Sequence, residues 1–328
     1  QQAYWQKLGQ WPIPGNVDPN AFIEKLFNTY LYTGNGTSQT ITNGINLSTD
    51  GGLVWIKARN ISGAWHDFFD TTRGVGQQIS SNETGAQFNS PQTVTAFNSS
   101  GFSVGSDGDV NRGSAGDIYA SWTFKEQPKF FDVVTYTGTG SAGLTVNHNL
   151  GSVPGTIIVK ITSGSGSWFV YHRSLGATKY INLNATGAAG TSGGIWNNTE
   201  PTSTVFTLGN DGSVNSSGQT YVAYLFAHNA GGFGLSGSEN VISCGSKTLV
   251  GSGVETVNVG YEPQWVLWKL ASSAGNWHVI DNMRGMSQTR AAFLVPNSSG
   301  AEAVASGAPY FTATSTGFST ESYFGAGD

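Results

Sequence analysis

"GGLVWIKARN", Gly51 to Asn60, sets the problem. In an extended chain Leu53, Trp55 and Lys57 fall on one face and Val54, Ile56 and Ala58 on the other. The run predicts a buried strand with a lysine inside it. It also recurs. "GTIIVKITS" (Gly155 to Ser163) carries Lys160 at the matching place, and "QWVLWKLAS" (Gln264 to Ser272) carries Lys269. Trp65, Trp168 and Trp277 each follow their lysine by eight residues. A spacing kept three times marks an internal repeat.

Working outward from the lysine, the copies extend over most of the chain. They open on "YLYTGNG", "VTYTGTG" and "VISCGSK", which places Tyr32, Tyr136 and Cys244 at matching positions. After the lysine strand come "WHDFFDTTRG", "WFVYHRSLG" and "WHVIDNMRG", then an Asn/Gly/Ser-rich stretch, then "SSGFSVG", "STVFTLG" and "STGFSTE". "DIYASWTFK" closes the first copy and "TYVAYLFAH" the second. The third reaches Gly327-Asp328 before any closing strand. Continuation of the chain is the expectation there, because an unpaired edge exposes main-chain donors and acceptors.

Turn signals such as "TGNG", "TDGG", "SDGD" and "GNDG" recur between alternating runs. The pattern predicts an all-β protein of three tandem antiparallel β-sandwiches, strung like beads with almost no linker. The expected limits are residues 29–128, 129–230 and 231–328. An N-terminal arm, residues 1–28, precedes them. Pro12 and Pro14 break its regular structure. "DPNAFIEKLF" predicts one short helix with Asp18 as N-cap and Pro19 at N1. Trp5, Trp11, Phe22 and Leu26 are too apolar to leave in water, so the arm is expected to dock on a neighbouring chain.

Composition narrows the function. Only 11% of the 328 residues are charged, against ~25% in ordinary globular chains. Glycine occurs 46 times and aromatic residues make up 12%. The net charge of -5, with no basic block, argues against binding nucleic acid through its phosphates. No apolar run approaches the ~20 residues of a membrane-spanning helix. Cys244 is the single cysteine, so no intrachain disulfide forms, and a buried apolar role is expected for it.

Catalytic chemistry finds little support. His66, His148, His172, His228 and His278 make no metal-binding pattern. "SDGDVN" and "GNDGSVN" lack the acid ladder of a calcium loop and read as turns. No spacing singles out a carboxylate pair for glycoside hydrolysis. No cofactor, metal or catalytic residue is expected. The lysines are expected to be structural. Asp70 and Asp281 are their candidate partners, each three residues before an arginine, Arg73 and Arg284. The second copy has His172-Arg173 there instead. Trp196, Tyr310 and Tyr323 are the loop aromatics suited to stacking on sugar rings.

Taken as a set, "YTGNG", "LVWIKARN", "HDFFDTTRG", "SSGFSVG" and "IYASWTFK" resemble a repeated β-rich domain of unknown function. Such domains occur in tail-fibre and other virion proteins of environmental tailed bacteriophages, often labelled SPRY-like or lectin-like. The resemblance implies a structural, adhesive virion protein: a tail fibre, head fibre or other surface appendage. It implies a homo-oligomer bound to other virion proteins and, at its exposed end, to host surface polysaccharide. It brings no catalytic residues. The alternatives are a string of carbohydrate-binding modules on a secreted bacterial protein and, further off, a capsule depolymerase.

Overall fold

The structure is a computed structural model that describes residues 21–114, 116–249, 253–286, 291–304 and 311–321. It is all-β and antiparallel. The first segment contains β1 (Phe27–Thr33), β2 (Gln39–Thr42), β3 (Gly52–Ala58), β4 (His66–Asp70), β5 (Gln77–Ser80), β6 (Phe88–Asn89), β7 (Val94–Asn98), β8 (Gly101–Val104) and β9 (Ile118–Lys125). The second contains β10 (Phe131–Thr137), β11 (Leu144–Asn147), β12 (Pro154–Ile161), β13 (Phe169–His172), β14 (Lys179–Asn182), β15 (Gly190–Thr191), β16 (Val205–Leu208) and β17 (Thr220–Ala227). The third contains β18 (Val254–Asn258), β19 (Trp265–Lys269), β20 (Trp277–Asp281), β21 (Ala292–Phe293), β22 (Ala303–Val304), β23 (Phe311–Thr314) and β24 (Gly317–Glu321).

Two six-stranded sheets have the same order, β1-β9-β3-β4-β5-β6 and β10-β17-β12-β13-β14-β15. In each, the closing strand lies between the opening strand and the lysine strand. Smaller sheets, β2-β8-β7 and β11-β16, cover one face. The third segment has β18-β24-β23, β19-β20 and β21-β22. It shares one local feature with the first, a close approach at a glycine. A Cβ on Gly101 would meet the Ile41 carbonyl oxygen at 2.0 Å, and one on Gly317 would meet the Val257 oxygen at 1.9 Å. Each glycine lets two strand backbones approach at the same corner.

Alternation within the lysine strand has a consequence that bead-like sandwiches do not have. Val54, Ile56 and Ala58 face the first segment's own core with Ile41, Phe69, Phe102 and Tyr119. Leu53 and Trp55 point the other way, into a cluster that also holds Ile158, Trp168, Val170, Tyr224, Trp277, Val279 and Leu294. That cluster draws on all three segments, so each large sheet is buried on both faces. This is why every residue of β3 is buried. The second and third segments keep private cores of their own.

The expectation of separate beads is therefore corrected: a shared core joins the segments. The accessible surface agrees. It measures 13576 Å² for 34.5 kDa. One body of this mass should expose ~12,900 Å², and three isolated thirds ~17,400 Å² together.

The arm is corrected in part. Only a 3-10 turn, Ile23–Lys25, forms among its described residues, and Phe22 precedes it in extended conformation. Leu26 is fully buried in the shared core, while Phe22 is half-buried. The Gly234 N–H donates to the Ala21 carbonyl at 2.8 Å. This end of the arm thus folds onto its own chain. Trp5 and Trp11 lie outside the described residues.

Candidate functional site

The repeated residues converge on the junctions between segments. Lys57, Lys160 and Lys269 share the parity of the shared-core face. Each Nζ donates to the carbonyl of the next residue: Ala58 at 2.8 Å, Ile161 at 2.9 Å and Leu270 at 2.8 Å. Lys160 also donates to Thr84 of the first segment at 3.2 Å, and Lys269 to Thr186 of the second at 3.0 Å. Burial lowers all three lysines to about 8, with the Asp67 carboxylate opposing the shift at Lys57.

The same loop carries two further links. Gly63, Gly166 and Gly275 donate N–H to the carbonyls of Ser299, Thr84 and Thr186, each at 2.8 Å. Coming back, Glu302, Gln87 and Ala189 donate N–H to the carbonyls of Arg59, Thr162 and Ala271. The first segment thus holds the third, the second holds the first, and the third holds the second. The contacts close into a ring.

Asp70 and Asp281 do not pair with the lysines, and that expectation is corrected. Each grips the arginine three residues on. Asp70 Oδ2 lies 2.6 Å from Arg73 Nε, and Asp281 Oδ2 lies 2.7 Å from Arg284 Nε. The short turn after the strand brings the guanidinium back onto its own carboxylate, and each Asp oxygen also caps the arginine N–H. The carboxylates then receive a donor from a neighbouring closing strand. Tyr224 O–H reaches Asp70 at 2.9 Å and Trp122 Nε1–H reaches Asp281 at 2.9 Å. The Arg284 guanidinium stacks 5.2 Å from the Trp122 ring. Glu302 bridges Arg59, bidentate at 2.7 and 2.8 Å, to Arg284 at 3.2 Å.

Two tryptophans bolt the ring and one does not. Trp168 Nε1–H donates to the Ser80 carbonyl at 3.0 Å, and Trp277 Nε1–H to the Asn182 carbonyl at 2.8 Å. Trp65 is half-buried and, among the described residues, its one aromatic contact is Phe88, edge-on at 6.3 Å. Lys57 is cross-strand from His66, whereas Lys269 is cross-strand from Trp277. One extra residue between Lys57 and Asp70 moves His66 into the place that Trp168 and Trp277 take in the other segments. His66 is fully buried and accepts Trp55 Nε1–H at 3.1 Å. Burial first, then the charges of Lys57 and Arg284, hold its pKa well below the usual value; the Val295 carbonyl opposes them.

Sugar-stacking roles fare differently. Trp196 ends a one-turn helix, Gly193–Trp196, and is 2% exposed, edge-on to Tyr171. A ring so enclosed offers no face to a saccharide, so that assignment is withdrawn. Tyr310 and Tyr323 lie outside the described residues. The polar surface groove that does exist lies elsewhere, on the outer β2-β8-β7 sheet. Thr40, Thr42, Ser48, Asn98, Ser99, Ser100 and Ser103 line it around the half-buried Phe97 ring. It holds hydroxyls, an amide and one aromatic, with no charged side chain.

Other sequence candidates resolve into structure. "SDGDVN" and "GNDGSVN" form one-turn helices capped by Asp107 and Asp211. Asn111 and Asn215, both fully buried, tie these turns to the opening loops. Asn111 Nδ2 donates to the Gly105 carbonyl and Asn215 Nδ2 to the Gly209 carbonyl, both at 2.6 Å. Tyr32 and Tyr136 donate O–H to Val110 and Val214 at 2.7 Å. Sequence reading missed these asparagines as ties; the duplicated D-G-x-V-N was their signal. Burial pushes the Cys244 thiol up to about 11, although His228 Nδ1 accepts its N–H. Glu126 is raised to about 7, by burial and then by Asp132. No group of three metal-ligating acids, histidines or cysteines occurs among the described residues.

Fold and junctions together define an all-β protein in which most of the repeated charged and aromatic residues hold one segment to the next. The chain belongs to the family described as "Domain of unknown function (DUF7483)", whose model matches residues 23–326 as one stretch. None of the curated proteins and none of the solved structures matches it.

Proposed function

We propose that this chain is a structural and adhesive protein of a bacteriophage particle: a tail fibre, head fibre or other surface appendage that meets host surface glycans. In this reading it consists of three copies, at residues 29–128, 129–230 and 231–328, behind an N-terminal arm, 1–28, whose described end folds onto its own chain. It assembles as a homo-oligomer with other virion proteins. The observation that carries the proposal is the commitment of the repeated motif to the ring. Asp70–Arg73, Asp281–Arg284, Lys160, Lys269, Trp168 and Trp277 all serve contacts between segments. A motif used so fully for cohesion suits a durable surface body better than a catalyst. The neutral groove around Phe97 supports glycan contact, since hydroxyls, an amide and an aromatic ring match a sugar's polar edge and apolar face.

Mass spectrometry of purified particles tests the virion assignment: stoichiometric presence of the chain is expected. Its absence, with secretion of the free chain, would favour the second reading, a carbohydrate-binding string. The same neutral groove favours that reading as well. Release of reducing sugar from capsule polysaccharide would overturn both in favour of a depolymerase.

A further inference from the structure

One group of acids in the first segment has no counterpart at the matching places of the other two, among the described residues. Asp67 lies on β4, cross-strand from Ile56 and Ser80, and so faces the first segment's own core. In the second segment Phe169 takes that place, cross-strand from Val159 and Asn182, and Tyr180 stands where Gln78 stands on β5. Phe169 and Tyr180 pack at 5.1 Å. In the third, His278 takes it, stacked on Trp268 at 4.4 Å, and burial lowers this histidine to about 4, so it is neutral. The one-turn helices repeat the exchange: Asp109 in "DGDVN" matches Ser213 in "DGSVN". The sister segments close this place without a carboxylate, so the fold itself does not require the acids of the first.

These acids are buried and short of donors. Asp67 and Gln78 are fully buried. The Ser80 hydroxyl donates to Asp67 Oδ1 at 2.6 Å, and Gln78 Nε2–H donates to Asp109 Oδ2 at 3.1 Å. Asp67 Oδ2 and Gln78 Oε1 find no partner among the described residues. Burial pushes the Asp67 carboxyl up to about 7; the charges of Asp109 and Asp107 add to the shift, and Ser80 and the Gln78 amide oppose it. Gln78 thus serves both acids, one on β4 and one on the turn Gly108–Asn111. A proton on Asp67 removes a buried charge and gives the group a donor that the ionised form lacks.

Other ionisable groups face Asp67 from each element packed on it. Tyr32 on β1 is raised well above its usual range, by burial first, and stays neutral. Lys57 on β3, lowered by burial to about 8, stays charged up to neutrality. Asp109 on the turn is raised as well, by burial and then by Asp107, against the Gln78 amide and Arg112, so it shares the titration. The turn is also an anchor. Asn111 Oδ1 accepts the Asn35 N–H at 2.8 Å, and its Nδ2 donates to the Thr37 carbonyl at 2.5 Å. That loop leads into β2, whose Thr40 and Thr42 line the surface groove.

We propose that Asp67 is a proton-operated latch on the outer layer of the first segment. Uncharged, it lets Gln78 hold the turn Gly108–Asn111 down on β4 and β5. Ionised, it is a second carboxylate drawing on the same amide, and the turn lifts with the loop it anchors. The latched state keeps the proton up to about pH 7, and the lifted state, with Asp67 in water, only to 3.8. Latching is therefore complete in acid below the lower value and is lost as pH rises through the higher one. The inference stands whether or not the adhesive reading does.

Amide exchange of Asn111 against Asn215 in the full chain is the test, with the second segment as internal control. The two N–H groups close equivalent turns, to the Asp107 carbonyl at 2.7 Å and the Asp211 carbonyl at 2.9 Å. Both follow a valine, so intrinsic exchange rates cancel in their ratio. From pH 5 to pH 7 the opening of Asn111 relative to Asn215 should rise about 50-fold, for a carboxyl at 3.8 when lifted and about 7 when latched. Asp67→Asn should flatten the ratio. So should Asp67→Phe combined with Gln78→Tyr, which copies the pair of the second segment and covers the case of a poorly folded single variant. A wild-type ratio that rises less than about tenfold, or a rise of full size that survives in a folded variant, would overturn the proposal.

Discussion

Replacing Lys160 by methionine should change how stability depends on pH more than it changes stability at neutrality. The ammonium is fully buried, and burial lowers its pKa from 10.5 to about 8. Folded protein therefore releases this proton before the unfolded chain does. Between pH 8 and 10.5 the unfolded chain holds more protons, so stability rises with pH across that window. The whole shift corresponds to ~3 kcal/mol, and ~2 kcal/mol of it falls between pH 7.5 and 9.5. The carboxyls raised to about 7, Asp67 and Glu126, have lost their protons by the start of the window. Burial raises Tyr224 and Tyr136 well above their usual range, so tyrosine ionisation weakens the fold only beyond about pH 10. At pH 7.5 the methionine removes a desolvated charge and also the bonds to Ile161 and Thr84, and the two effects offset. At pH 9.5 only the lost bonds remain. Urea unfolding of both proteins at pH 7.5 and 9.5 is the assay. The wild type should gain ~2 kcal/mol over the variant across the interval. Parallel pH curves would refute the account of the lysine as a buried carbonyl clamp.

Asp281→Leu leaves the Arg284 guanidinium buried with Glu302 as its remaining acid, and should cost ~3–5 kcal/mol by denaturant unfolding. Arg59→Ala, at the more exposed end of the same network, should cost ~0–1 kcal/mol. Asn111→Ala and Asn215→Ala each strand several buried acceptors, so both should lose ~2–3 kcal/mol, and by similar amounts. Cys244, with its thiol pushed up to about 11, should resist a thiol reagent at pH 8 until the protein unfolds. Cys244 is only half-buried, so the raised thiol pKa is what slows the reaction, and rapid labelling of the native chain would contradict it.

How far the sequence carried can be followed along one strand. The alternation in "LVWIKA" placed Lys57 on the face of Leu53 and Trp55 correctly, because period two is a property of the chain alone. What lies beyond that face is a property of the other segments. The local acids Asp70 and Asp281 were the visible partners for lysine. The real partners at the second and third junctions are neighbouring carbonyls, which leave no trace in residue type. Trp65 kept the spacing of Trp168 and Trp277, yet one added residue before Asp70 gave its place to His66. Counting from the aspartate rather than the lysine would have found it. Trp196 read as a loop aromatic because its one-turn helix is too short to show a period, and that turn aims the ring inward. The shared core was hidden for a related reason. A strand buried on both faces reads as an apolar run whether its second neighbour is its own segment or another.

The closed ring with its common core is the central claim, and small-angle X-ray scattering of the monomer tests it most directly. A single body of this length should give a radius of gyration of about 20 Å. Three sandwiches of ~13 Å each, strung at ~30 Å spacing, would give about 28 Å. A value of 20–22 Å, with a single-peaked, symmetric pair-distance distribution, is the result predicted here. A value near 28 Å with an extended tail would contradict it.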